Sequence, residues 1–437
     1  MRMSSFPSRL AIAGALVAVL GVGACGTADS SGGTQELSDG DVTLRLTWWG
    51  ADARHERTQQ AIEAFQEQYP NIEVIGEFSD WTGYWDKLAT ATAGGNAPDV
   101  IQMDQLYLAS YADRGVLADL AQQPQLDTTT LPPAVLDTGR SRGTLYGMPI
   151  STSAWGILVN QDKLAELGVA LPDTENWTWD EFADFGRSVT DASGGEVHGF
   201  TPHWNEFSLQ IHARQHGEAL FSDGKVSISV PTLARYFQQV HDWATAGASV
   251  PASQFAEGVS AALDQTDFAT GKVAMIFANV TQLAAYTKAT GGADLIAVKL
   301  PTEDGNSTPF SYLKPGMYWS VSAESEHPAE AELLIDFLVN TTEAGEIIGS
   351  ERGIPANTTV LESIRDSLTP GELQAVEYAE SIQDLLGDAP EIVPNGASEI
   401  ERTIVRYLQD VMFDRRTAEE AAEAFVAELQ SSIDAAQ

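Results

Sequence analysis

From residue 42 onward, short β-patterned runs alternate with helix-patterned runs, and this alternation limits what the chain can fold into. Residues 42–48 alternate apolar and polar side chains, as in a strand with one buried face. Ala61, Ile62, Phe65 and Tyr69 then recur at helical spacing, and Pro70 with Asn71 closes that helix. A strand over 72–78, a helix over 84–93 stopped at Gly94 and Gly95, and a short buried strand over 99–103 follow. A second block repeats the pattern: extended runs over 145–150 and 154–160, helices over 161–167, 179–189 and 231–246, and β-rich runs over 272–277 and 295–300. Residues 371–437 read as helical, with a break at 387–394. The pattern predicts an α/β chain of two lobes, each with a parallel or mixed sheet, followed by a helical tail.

Charge removes several functions. The chain has 437 residues, with 62 Asp and Glu against 24 Lys and Arg, a net charge of −38. Such a surface repels polyanions, so no nucleic-acid partner is expected. The lone cysteine, Cys25, excludes an intramolecular disulfide framework and a Cys-rich zinc or iron–sulfur site. The phosphate loop GxxxxGK[ST] does not occur, so the chain is not expected to hydrolyse ATP itself.

Arg2 and Arg9 introduce an apolar run over 10–22 that is short for a membrane span and suits a secretory signal. It leads into Gly23-Ala24-Cys25, which resembles a bacterial lipobox. The resemblance implies removal of a signal peptide over 1–24, diacylation of Cys25 and an extracytoplasmic protein anchored to the cell membrane by lipid. An ordinary signal peptide with an incidental cysteine is the plainer alternative. Residues 25–40, rich in Ser, Gly and Asp, read as a flexible linker.

A series of landmarks follows in order: Trp48-Trp49-Gly50, Tyr69-Pro70-Asn71-Ile72, Ala97-Pro98-Asp99-Val100, Asp113-Arg114-Gly115-Val116-Leu117 and Leu145-Tyr146-Gly147-Met148-Pro149. Asn160-Gln161-Asp162-Lys163-Leu164, Phe268-Ala269-Thr270-Gly271-Lys272 and Gly353-Ile354-Pro355-Ala356-Asn357 complete it. Together they resemble the extracellular solute-binding proteins of bacterial ABC importers, in the family 1 sugar-binding group. The resemblance implies the two-lobed periplasmic-binding-protein-like fold, with hinge strands between the lobes and the ligand in the cleft. Crossings are expected near 149–153, 301–311 and 352–357, giving lobe one as 41–150 with 311–355 and lobe two as 151–310 with 356–437. It also implies a monomer that captures a sugar or oligosaccharide by hinge closure and delivers it to ABC permease subunits, without catalysis and without a cofactor.

A sugar offers C–H faces that pack on aromatic rings and a hydroxyl rim that pairs with carboxylates and amides. Trp48 and Trp49 stand at the end of the first strand, where open α/β sheets bind ligands, and one of the pair should face the core. Trp81, Tyr84 and Trp85 follow the second strand; one should pack inside, with Trp81 or Trp85 lining the cleft. Asp104, at the end of a buried strand, is a hydroxyl acceptor or a helix cap. Trp155 could close from lobe two. Trp204, Asn205 and Glu206 form a polar–aromatic group, and Asn279 follows a strand. Trp319 and Arg352 flank the segment returning to lobe one, core packing being the alternative for Trp319. Trp177, Trp179 and Trp243 read as structural.

Three rival readings remain. A secreted carbohydrate hydrolase needs two facing carboxyl groups, and sequence does not place Asp104 opposite Glu206. Metal capture would use His212 and His216, four apart, with His198 and His203 nearby; without an acidic partner between them the plainer reading is a helix face, and no metal ligand is assigned. Peptides or polyamines would also suit the acid excess.

Overall fold

The computed structural model describes residues 36–436 apart from positions 51, 123 and 306–309. Cys25, the signal segment and the first part of the linker lie outside the described residues. Among those described, no helix is long and apolar enough to cross a membrane.

The alternating pattern becomes two mixed sheets. In the first, the strands run in the order Ile72–Ser79, Val42–Trp49, Val100–Met103, Tyr318–Val321 and Met148–Pro149. The first three are parallel and Tyr318–Val321 runs antiparallel to both its neighbours. The second sheet has the order Leu295–Val298, Trp155–Asn160, Val273–Asn279 and His198–Thr201. Each sheet anchors its own apolar cluster, Leu44, Leu46, Ile101 and Leu334 in one and Ile157, Phe200, Phe237 and Met275 in the other. Two such cores are what a chain of this length requires.

Local chemistry sets the helix ends. The Thr178 hydroxyl accepts from the Glu181 backbone N–H while the Glu181 carboxylate accepts from that of Thr178, a reciprocal cap on the helix Trp179–Ala192. Asn160 caps Gln161–Leu167, which stops at Gly168 with φ 67°, a backbone region open to glycine.

A third sheet joins the lobes. Ser151–Ser153 is its centre, flanked antiparallel by Lys314–Pro315 and Ile354–Pro355. The second crossing therefore falls beyond the 301–311 stretch expected from its Pro, Gly and Asn content. The reason is burial: Phe310 and Tyr312 still belong to the second apolar cluster, so the chain leaves lobe two only after them. The helix Thr358–Ile364 packs on Thr342–Ile348, so it goes with lobe one although it lies past residue 355. The rest of the lobe division remains our proposal.

The tail helices Pro370–Ser381, Ile400–Met412 and Ala418–Ala435 pack on the second cluster through Tyr378, Ile404, Leu408 and Phe425. Between the first two, Ile392 joins the lobe-one cluster while its neighbour Val393 joins that of lobe two. Leu106, of the first lobe, in turn packs against the second cluster. The lobes thus touch through exchanged apolar side chains.

Tyr378 also donates its hydroxyl hydrogen to the Trp155 carbonyl at 2.9 Å. A Cβ on Gly156 would sit 2.6 Å from that hydroxyl oxygen and 3.0 Å from the Val298 carbonyl oxygen. Gly156→Ala is expected to lower stability by about 1–3 kcal/mol through overpacking, read as a shifted urea midpoint.

Candidate functional site

The first strand delivers Trp48 and Trp49 to its carboxyl end, pointing opposite ways. Trp48 is fully buried, its indole N–H donating to His55 Nδ1 at 3.0 Å and its ring beside Phe78. Trp49 faces the other side, with Trp81, Tyr84 and Trp85 at centroid distances of 5.0, 5.1 and 5.5 Å. Asp80 caps the helix Trp81–Ala93 that presents three of these rings. Trp85 stacks on Tyr107 at 4.0 Å, its Nε1 buried without a hydrogen-bond partner, and Trp81 is the exposed ring. Lobe one thus holds an aromatic nest built from the ends of one strand and two helices.

Asp104 ends the buried strand Val100–Met103 and caps the helix Gln105–Asp113, its Oδ1 accepting from the Leu106 N–H at 2.9 Å. Burial raises its pKa, opposed by that hydrogen bond and by Lys314. Glu206 opens a helix of lobe two, Glu206–Gln215, and is almost wholly buried. Its Oε2 lies 3.7 Å from Lys314 Nζ, too long for a hydrogen bond, and has no hydrogen-bond partner. Burial raises its pKa too, with Lys314 opposing. Lys314 starts a hinge strand, so the ammonium that faces the buried Glu206 carboxylate of lobe two is carried by the hinge.

Next to this triad lies a pocket of about 370 Å³, within the range of small-molecule sites. Trp155, His203, Trp204, Asn205, Phe277 and Glu401 are among its walls. Trp155 is held flat by stacking on Phe207, with centroids 5.2 Å apart and planes 17° apart, and its Nε1 is buried without a partner. Asn205 caps the Glu206–Gln215 helix through Oδ1, which accepts from the Ser208 backbone and hydroxyl. His203 is 4% exposed, and neither ring nitrogen has a hydrogen-bond partner. Glu401 acts electrostatically on both Asp104 and Glu206, and Tyr107 of lobe one feels Glu399 and Arg402 across the gap. The pocket adjoins the hinge, since its wall residue Asn205 precedes Glu206, whose carboxylate lies 3.7 Å from the hinge ammonium of Lys314.

Four expected ligand contacts lie elsewhere or are committed locally. Trp48 and Trp319 fill the lobe-one core, because successive strand residues face opposite sides of the sheet and theirs is the buried one. Arg352 is buried over Trp319, donating from Nε to Gln102 and from Nη2 to Thr58, with burial pulling its pKa down to about 9. Asn279 pairs in register with Trp155 but its Oδ1 accepts from Thr281 as a cap. Trp177, Trp179 and Trp243 are buried in the second cluster. Sequence reading did not single out Lys314, Tyr107, Phe277 or Glu401; Lys314 and Glu401 come from segments distant in sequence, and Tyr107 and Phe277 carry no local signal beside Asp104 and Asn279.

His212, His216 and Glu303 bring ligand-type atoms within 4.8 Å of one another. One ring nitrogen of each histidine already pairs with a backbone carbonyl, of Thr232 and His212 respectively. His203 stands apart from them, among Trp179, Tyr236, Trp243 and Phe277.

A two-lobed α/β body with three hinge strands and a cleft of this make defines a solute receptor. The chain belongs to the bacterial extracellular solute-binding proteins, whose family model matches residues 60–370. In structure it is similar to an extracellular solute-binding protein family 1 member from Alicyclobacillus acidocaldarius, with TM-score 0.72 and 26% identity over 91% of this chain and 99% of that one. In sequence it is 29% identical over 157 residues to an uncharacterized lipoprotein of Streptomyces antibioticus, covering 35% of each. It is 27% identical over 222 residues to the diacetylchitobiose binding protein DasA of Streptomyces coelicolor, covering 50% of this chain and 51% of that one. The chain thus spans between about a third and a half of the length of these curated relatives. The family is one of binding proteins outside the cytoplasm.

Burial holds the pKa of both His203 and His212 down to about 3. A histidine depressed from 6.5 contributes stability that is complete above pH 6.5 and is lost as pH falls toward 3. At pH 5 each should have cost about 2 kcal/mol. Chemical denaturation at pH 7 and pH 5 should show a smaller acid loss in His203→Gln than in the wild type, by about that amount.

Proposed function

We propose that this chain captures a sugar or oligosaccharide by closing its lobes on it and passes it to the membrane subunits of an ABC importer. The observation that carries the reading is the pocket itself. It sets the flat indoles of Trp155 and Trp204 beside the Asn205 amide, with an unpaired indole N–H and an unpaired imidazole in the same wall. Indole faces suit sugar C–H surfaces, and buried unpaired polar atoms suit hydroxyls, which both donate and accept. The diacetylchitobiose receptor among the relatives supports this solute class. The lobe-one nest and Asp104 would supply the opposite jaw. Closure follows from a ligand that touches both jaws at once, since only then does it bind the closed form more tightly than the open one. The chain binds its ligand and releases it unchanged.

A thermal-shift screen over mono- and oligosaccharides tests the reading. A true ligand at 100 times its Kd adds about 2.7 kcal/mol of stability. Trp155→Ala should weaken binding by about tenfold or more while the variant stays folded, as measured by calorimetry. Stabilisation by no sugar, or turnover of the bound sugar, would sink it.

We also propose that Cys25 carries a lipid anchor, in keeping with its place behind the apolar run 10–22 and with a relative named as a lipoprotein. Cys25→Ser should move the protein from the membrane fraction to the soluble extracellular fraction in cell fractionation.

A further inference from the structure

We infer that the pocket discriminates by charge, accepting neutral or aminated sugars and rejecting uronic acids; the inference rests on the sugar reading above. Among the described residues that line the pocket, the ionised side chains are Asp267 and Glu401, and no Lys or Arg stands with them. Asp267 is 9% exposed and already committed: its carboxylate accepts from Gln254 at 3.0 Å and faces Lys272 at 3.5 Å. Glu401, in the first turn of its helix, has neither a hydrogen bond nor an ion pair among the described residues, so its charge is available to the ligand.

A second, independent observation marks the wall as built for a ligand. His203 is 96% buried by its 4% exposure, lines the same pocket and leaves both ring nitrogens unpaired. Packed among aromatic rings it stays neutral, so it can pair with a hydroxyl but brings no cation to meet a carboxylate. The nearby cations are spoken for. Lys314 faces Glu206 at 3.7 Å, and exposed Arg402 pairs with Glu399 at 2.9 Å.

A uronate seated here would lose its hydration, face Glu401 and find no counter-ion, an arrangement that like-charge repulsion penalises. A neutral hydroxyl can donate to Glu401, and an ammonium can pair with it. Selection would thus come from a repulsive element as well as from attractive ones.

Calorimetry on the full chain with three matched disaccharides tests this: diacetylchitobiose (neutral), its de-N-acetylated form (cationic) and digalacturonate (anionic). The neutral and cationic sugars should bind at least about 100-fold more tightly than digalacturonate. That ratio should shrink by about tenfold in Glu401→Lys. Digalacturonate binding within tenfold of the neutral sugar, or a ratio unmoved in Glu401→Lys, overturns the charge selection and leaves the sugar reading standing. Binding of none of the three to the wild type overturns both.

Discussion

A single ammonium on the hinge organises the cleft. Lys314 begins a crossing strand, its ammonium lies 3.7 Å from the buried Glu206 carboxylate of lobe two, and its charge also opposes the raised pKa of Asp104 in lobe one. A buried carboxylate such as Glu206 is costly without a cation near it. In a chain with 62 acidic and 24 basic residues, cations are the scarce resource, and this one is placed where two halves of the protein must approach. The three-strand hinge sheet gives the lysine a fixed point, and Ser153 ties it down by donating its hydroxyl hydrogen to the Lys314 carbonyl at 3.0 Å.

Around that point the two jaws differ in kind. The lobe-one side is a packed nest of rings in which Trp49, Trp81, Tyr84, Trp85 and Tyr107 support one another edge-on and face-on. The lobe-two side is a recess with single platforms and polar atoms left unpaired. Aromatic contacts give broad attraction with little directional demand, whereas buried polar atoms exact a penalty unless a fitting group meets them. One jaw therefore suits adhesion and the other discrimination.

Much of the fold was legible because it rests on period. Strands at Val42–Trp49 and Val273–Asn279 and the helix Gln161–Leu167 follow from alternation, helical spacing and caps. The site was legible only in part. Trp155, Trp204 and Asn205, singled out in the sequence near strand ends and helix caps, line one pocket. Which of Trp48 and Trp49 faces the core, and whether Trp319 does, stayed open in the sequence because a tryptophan in a strand has two faces to choose from, and only the tertiary arrangement says which one is covered. Lys314 and Glu401 were invisible for another reason: their meaning comes from segments far away in sequence. The crossing at Lys314–Pro315 was read a few residues early, since loop-forming residues mark where a chain bends and the buried Phe310 and Tyr312 decide where it leaves.

The exchanged side chains have a mechanical consequence. Ile392 is buried in the first cluster from a strand-less stretch of the tail, and Leu106 reaches the other way. Separating the lobes would peel both from apolar surroundings, and fully exposing one such aliphatic side chain costs about 1.5–3 kcal/mol. Ile392 thus resists separation of the lobes by up to that amount and Leu106, only partly buried, by less, so the tail, and not the hinge alone, holds the lobes together.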